Sequence, residues 1–336
     1  MKELIRRLLG PSVMDAINRI RFSPKRMLNR CIGYDKERLI AYSGCFAQKT
    51  REQLRAFVIM TYHVVEKGLT MPNRRFTFGV EVIKELMQLI DAFESKFGSD
   101  RQVDHAIGVL KAYWDLHAEA GRQESTDAAF WSQLETFLSR YPTVPAAPQP
   151  HCTREVFYRD NEAAFPRFAA SRHTLRHYSD KPLPVERIKA AVALAMSTPT
   201  ACNRQHCRVY CVSDKAKMAR LLELQGGGRG FGHLADKVLV VTASLESILY
   251  PRERDDLFTN GGMFLMNLCY ALHYEKIAHC VLNWSRTPAE DRAMRKCLAI
   301  KPSESVIAIL TCGETPPEFD VCASPRDTVE EHFVEL

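Results

Sequence analysis

No run of about 18 or more apolar residues occurs anywhere in this 336-residue chain, so no segment is long enough to cross a bilayer as a helix. The opening Met1-Lys2-Glu3-Leu4-Ile5-Arg6-Arg7-Leu8-Leu9 is too short and too charged for a secretory signal, and a cytoplasmic location is the expectation. Cys-x-x-Cys pairs are also missing. The 11 cysteines are odd in number and scattered, which indicates neither a disulfide framework nor a zinc site, and most read as small buried hydrophobes. Cys207 and Cys211 share one face of a strand-like run, about two pleats apart, and no metal is assigned to them. Charge of one sign is in short supply: 46 Lys and Arg against 40 Asp and Glu leave +6. That balance suits an anionic ligand but lacks the clustered basic face of a nucleic-acid binder. No Gly-x-Gly-x-x-Gly follows a strand. The glycine-rich Gly226-Gly227-Gly228-Arg229-Gly230-Phe231-Gly232 precedes one and reads as a mobile loop rather than a phosphate cradle.

What is present is a globular balance, 46% hydrophobic and 26% charged, over a length that allows about two domains. In the first half, apolar residues recur at helical spacing. One set is Leu54, Phe57, Val58 and Tyr62; another is Val82, Ile83, Leu86, Leu89, Ile90 and Phe93. Further helices are expected from about Val103 to His117 and Asp127 to Arg140. Four prolines between Tyr141 and Pro150 then deny a helix its hydrogen bonds and favour an extended connector. The expected division is a helical unit at 1–140, a Pro-rich linker at 141–164 and a second unit at 165–336. In the second unit a helix opens near Pro184-Val185-Glu186. Strands are expected at 207–212, 238–242, 277–282 and 306–311, with a long apolar helix through Met263, Phe264, Leu268, Ala271 and Leu272. Helices and strands alternate around what should be one central sheet, an α+β arrangement.

The densest chemistry lies in Ser171-Arg172-His173-Thr174-Leu175-Arg176, where two guanidiniums and two hydroxyls crowd one hexapeptide. Arginine presents a planar fork of donors to phosphate oxygens, and Ser or Thr adds a neutral donor at short reach. A solvated basic turn before a helix is the plainer reading of the same residues. About one helix later comes Ser197-Thr198-Pro199-Thr200-Ala201-Cys202-Asn203-Arg204-Gln205-His206, leading into the strand-like Cys207-Arg208-Val209-Tyr210-Cys211-Val212. Asn267-Leu268-Cys269 precedes Lys276-Ile277-Ala278-His279-Cys280, and Val306 to Gly313 is followed by Pro325-Arg326. In order and spacing these four motifs resemble the nitroreductase family of flavin enzymes over roughly residues 165–336.

The resemblance implies an α+β fold, an intertwined homodimer and flavin mononucleotide (FMN) at the subunit interface. It implies that Arg172, Thr174, Arg176 and the late Arg326 hold the flavin phosphate and ribityl chain, with His173 at a commonly basic position. It implies that Pro199, Thr200, Ala201 and Asn203 pack on the isoalloxazine from the partner subunit. Asn260 falls where relatives touch the pyrimidine edge, and Asn283 and Trp284 fall where relatives place residues near N5. Read as residues alone, Asn203 has the plainer alternative of a helix C-terminal asparagine, and Asn260 that of an N-cap for a helix beginning at Gly261. The implied activity is ping-pong: NAD(P)H reduces the flavin and leaves, and an acceptor takes the electrons. Two departures bear on it. Gln205-His206-Cys207 stands where the family has Gln-Pro-Trp, and Lys276-Ile277-Ala278 stands where it has Gly-Leu-Gly, whose glycines reach a left-handed backbone. A non-catalytic flavin-binding dimer is the reading those departures leave open.

Tyr62-His63-Val64-Val65-Glu66-Lys67-Gly68 puts His63 on one helical face with Glu66 and Lys67, and Gly68 reads as the helix end. Either this is a capped helix end with an internal ion pair, or His63, Glu66, Lys67 and Arg74 build a polar site toward the flavin cleft. The region resembles the helical extension of nitroreductase-like proteins associated with surface-polysaccharide gene clusters. That likeness implies a sugar- or peptide-linked intermediate as a substrate class.

Overall fold

The first-half periodicity folds as helices α1 (Pro24–Tyr42), α2 (Arg51–Leu69), α3 (Val80–Phe97), α4 (Arg101–Glu119) and α5 (Ala128–Ser139). This computed structural model describes residues 23–42, 46, 49–72, 74, 76–119 and 128–336; the stretch from Met1 to Leu9, Asn73, Arg75 and Asp127 lie outside them. Helix α2 starts where Thr50 and Gln53 cap one another, the Thr50 hydroxyl accepting from Gln53 N and the Gln53 side chain from Thr50 N. It ends at Leu69 with Thr70 as its cap, so Gly68 lies inside the helix and does not terminate it. A Cβ on Gly68 would fall 2.0 Å from the Phe78 ring, and close packing is what requires glycine there. Val58, Ile83, Leu86, Ile90, Phe93, Ile107 and Leu110 form the fully buried core of this half.

Residues 141–150 form neither helix nor strand and fold back on α4. Ala147 N donates to Gly108 O at 2.9 Å, and the Lys111 ammonium donates to the carbonyls of Tyr141 and Val144. The chain then forms β1 (His151–Thr153), α6 (Arg154–Phe157) and α7 (Phe165–Ser171), with β1 antiparallel to β6 (Glu318–Asp320).

The remaining elements are α8 (Val185–Ala195), β2 (Cys207–Val212), α9 (Lys215–Gln225), β3 (Lys237–Ser244), α10 (Asp256–Tyr274), β4 (Ile277–Asn283), α11 (Pro288–Leu298) and β5 (Glu304–Glu314). Four strands make one antiparallel sheet in the order β2-β3-β5-β4. Strand alternation divides the core across it: Leu239, Val241 and Leu310 face Ile188 and Ala191 of α8 and Leu268 and Leu272 of α10. Val238, Val240 and Ile309 face Met218 and Leu221 of α9 and Met294 of α11. The fold is α+β, a central sheet flanked by helices and preceded by helices. Because α10 opens at Asp256, Asn260 sits within it and is no N-cap. Among the described residues no helix is long and apolar enough to cross a membrane.

Candidate anion-binding site

Helix α7 stops at Ser171 and the chain leaves it extended, Arg172 having φ −72° and ψ 119°. The strand edge enforces this path. Leu175 N donates to His279 O of β4 at 3.0 Å, Ser179 N donates to Glu314 O of β5 at 2.9 Å, and the Tyr178 hydroxyl lies 2.7 Å from Thr311 Oγ1. In an extended segment alternate side chains share a side. Leu175 turns into the core at 1% exposure, while Arg172, Thr174 and Arg176 line one cleft of about 770 Å³.

Besides Ala169 and Ala170 at the end of α7, the cleft is lined from elsewhere in the chain by Met266 and Tyr270 of α10, Cys322 to Arg326, and His63 of α2. His173 lies at its exposed rim, with Nδ1 3.1 Å from Ser171 O. None of the residues lining the cleft is acidic. Among the described residues, Arg172, Arg176 and Arg326 have no carboxylate within ion-pair distance. Arg176 is only 9% exposed, its Nη1 donating to Cys322 Sγ at 3.1 Å and its guanidinium 5.9 Å from the Phe231 ring. A buried guanidinium without a counterion is costly, so the arrangement favours an anion. The Lys67 ammonium stands close by; burial, then the Arg176 charge, lowers its pKa.

Of the α2 residues singled out, His63 reaches the cleft and Glu66 lies fully buried beneath it. Glu66 Oε1 accepts from His105 Nε2 (2.8 Å) and Ser324 N (3.2 Å); Oε2 accepts from His63 Nδ1 (2.9 Å) and Ser324 Oγ (3.2 Å). Burial alone would raise its pKa, but the bonds from His105 and His63 outweigh burial and hold it at about 2. Arg74 instead donates to Leu69 O at 2.7 Å and lines a different pocket with Ala112 and Pro148. His63, Glu66 and Cys322 bring ligand-type atoms within 4.8 Å of one another, but both Glu66 oxygens already accept two donors each.

The other named residues lie away from the cleft. Pro199 and Asn203 are exposed on a loop in which Cys202, Asn203 and Gln205 all take left-handed backbone, φ 52°, 54° and 47°. Helix α8 ends at Ala195, so Asn203 does not end it; its side chain accepts from Gln205 Nε2 at 3.1 Å. Asn260 Oδ1 accepts from Ala201 N at 3.3 Å, tying α10 to the loop between Thr200 and Asn203. Asn283 offers its carbonyl to Gln225 Nε2, and the Trp284 indole donates to Asp291 at 3.0 Å. Asn267, whose side chain donates to Thr198 Oγ1 at 2.9 Å, fastens the turn before Pro199 to α10.

Residues 169–228 match the nitroreductase family. That segment is nitroreductase-like. It includes Arg172 to Arg176 and Pro199 to Asn203, and stops short of Asn260, Asn283, Trp284 and Arg326. Among solved structures, the chain is similar to an FMN-dependent nitroreductase of Clostridium difficile R20291, at 20% identity over 44% of this chain and 86% of that one, with a TM-score of 0.39. It is also similar to a nitroreductase-type protein of Desulfovibrio desulfuricans in complex with FMN, at 17% identity over 51% of this chain and 95% of that one, with a TM-score of 0.43. An NADH-oxidase-type protein of Clostridium acetobutylicum is similar at 15% identity over 50% of this chain and 99% of that one, with a TM-score of 0.44. No curated protein matches the chain.

The turn before β4 lies outside the matched segment and carries no glycine. Lys276, between α10 and β4, takes φ 55°, the left-handed conformation that glycine adopts without strain. Ala278 pairs regularly opposite Gly313 and is fully buried.

Proposed function

We propose that the chain is an FMN-dependent oxidoreductase of nitroreductase type, taking hydride from NAD(P)H and delivering it to a small-molecule acceptor in a ping-pong sequence. In this reading residues 1–140 form a helical unit, 141–164 a linker and 165–336 the flavin-binding unit. The observation that carries the reading is the cleft itself, where three arginines without carboxylate partners meet a threonine hydroxyl and no acidic side chain.

A phosphate monoester fits this donor set. Arg172 and Arg176 offer bidentate forks, Thr174 a hydroxyl and Arg326 a fourth donor from the C-terminal side, with charge-assisted bonds worth about 1.5–3 kcal/mol each. Bound flavin supplies two-electron hydride chemistry; the chain supplies position, exclusion of water and charge. Met266 and Tyr270 give the cleft an apolar wall on which a ribityl chain and ring edge can lie.

The reading includes a homodimer. Helix α10 leaves Phe258 and Met263 exposed at 59% and 44%, and Met266, at the cleft, at 39%. At about 1.5 Å rise per residue, Asn260 lies roughly 15 Å along α10 from Tyr270. The loop from Pro199 to Asn203, anchored at Asn260, is exposed in one copy and is the element we assign to cover the flavin bound by a second copy. The test is anaerobic titration of the FMN-reconstituted protein with NADPH and NADH while following the oxidised flavin band. Bleaching is expected; flavin that binds and stays oxidised would leave a binding protein without this activity.

A further inference from the structure

Resting on that flavin reading, we propose that the N-terminal helices hold the segment Cys322 to Asp327 as a strap across the phosphate end of the cleft. Glu66 and Arg55 are its positioning residues, and a preference for phosphorylated over unphosphorylated flavin is its consequence. Arg326 is exposed, and its guanidinium donates only to Ser324 O (2.9 Å) among the described residues. Its backbone, by contrast, is fixed on both sides.

On one side Ser324 gives both its N–H and its hydroxyl to the buried Glu66 carboxylate. Ser324 has φ 38°, a left-handed value that a non-glycine residue keeps only when its surroundings impose it. On the other side Arg55 grips Asp327 with two parallel bonds of 2.7 and 3.0 Å, and Gln102 Nε2 adds a third at 2.6 Å. Both grips are themselves aimed. Asp100 accepts from Arg55 Nε at 3.1 Å, and the Tyr62 hydroxyl donates to Gln102 Oε1 at 2.6 Å, which leaves the Gln102 amide nitrogen facing Asp327. Ala323 N donates to Gln149 Oε1 at 2.9 Å. From the segment after α7, Arg176 donates to Cys322 Sγ. The strap is thus built by residues 55–149 and ends on the one cleft arginine that the extended segment after α7 does not supply.

The experiment measures dissociation constants of FMN and riboflavin for the full-length apoprotein by flavin fluorescence, in wild type, Glu66→Gln, Asp327→Asn, Arg326→Ala and the Asp327→Asn/Arg326→Ala double variant. Glu66→Gln and Asp327→Asn are each expected to weaken FMN about tenfold while riboflavin changes by less than about twofold, and Asp327→Asn is expected to add nothing once Arg326 is gone. Should Glu66→Gln fail to fold, Asp327→Asn, whose carboxylate is less buried than that of Glu66, carries the test. Unchanged FMN affinity in Asp327→Asn, or equal weakening of FMN and riboflavin, overturns the strap and leaves the flavin reading standing. A wild type that binds neither flavin removes both.

Discussion

Arg176→Met separates an anion ligand from a merely structural arginine, because the two roles give effects of opposite sign. Arg176 is 9% exposed, has no carboxylate partner among the described residues and stands beside Lys67, whose pKa falls through burial and then through the Arg176 charge. Methionine fills similar volume without charge. Replacing buried charge by well-packed apolar groups is worth about 1–4 kcal/mol, so the apoprotein should gain about that much, seen as a melting temperature higher by several degrees. FMN binding should lose one charge-assisted interaction of about 1.5–3 kcal/mol, a rise in Kd of about 10- to 150-fold. Differential scanning calorimetry of the apo and FMN-loaded forms reads both at once. A variant that melts lower without flavin and binds FMN as wild type does would refute the reasoning and make Arg176 a packing partner of Cys322 and Phe231.

Lys276→Gly should stabilise the protein by about 1 kcal/mol, since a left-handed non-glycine residue costs about 1–2 kcal/mol and glycine returns part of that as unfolded-state entropy. Urea denaturation checks it, and a loss of stability contradicts it. Burial lowers the His279 pKa from 6.5 to about 4, with its Nδ1 donating to Ile277 O at 3.0 Å. The unfolded chain therefore binds the extra proton first as pH falls. Stability should drop from pH 6.5 toward 4 by up to about 1.4 kcal/mol per unit. Equilibrium unfolding across that range should show a flatter profile in His279→Leu, and an identical slope there would count against the assignment.

The strands show what local pattern can and cannot convey. The apolar runs at 238–242 and 306–311 were legible as strands, yet β3 and β5 extend to Lys237–Ser244 and Glu304–Glu314. Their ends carry polar residues that look like turn in isolation. Glu304 belongs to the strand because Arg208, Tyr210 and Thr242 hydrogen-bond its buried carboxylate. Gly68 and Asn260 misled for a related reason: local propensity marks one as a helix end and the other as a helix start. Phe78 packing on Gly68 and the opening of α10 at Asp256 override both.

In the site, Arg172, Thr174 and Arg176 were readable because alternation along one short segment brings them together. His63 was readable as part of a polar helical face, with its destination left open. Met266, Tyr270, Cys322 and Ser324 carry no local signal, and the Gln102–Asp327 bond joins residues 225 positions apart. Such pairings exist only once the helices and the C-terminal segment have docked.

The central claim is that this cleft holds a flavin by its phosphate, and the most direct measurement is the affinity of the wild-type apoprotein for FMN compared with riboflavin. The account predicts that FMN binds at least about 100-fold more tightly, the lower bound for two charge-assisted bonds to the phosphate. Equal affinity for the two flavins, or binding of neither, would contradict it.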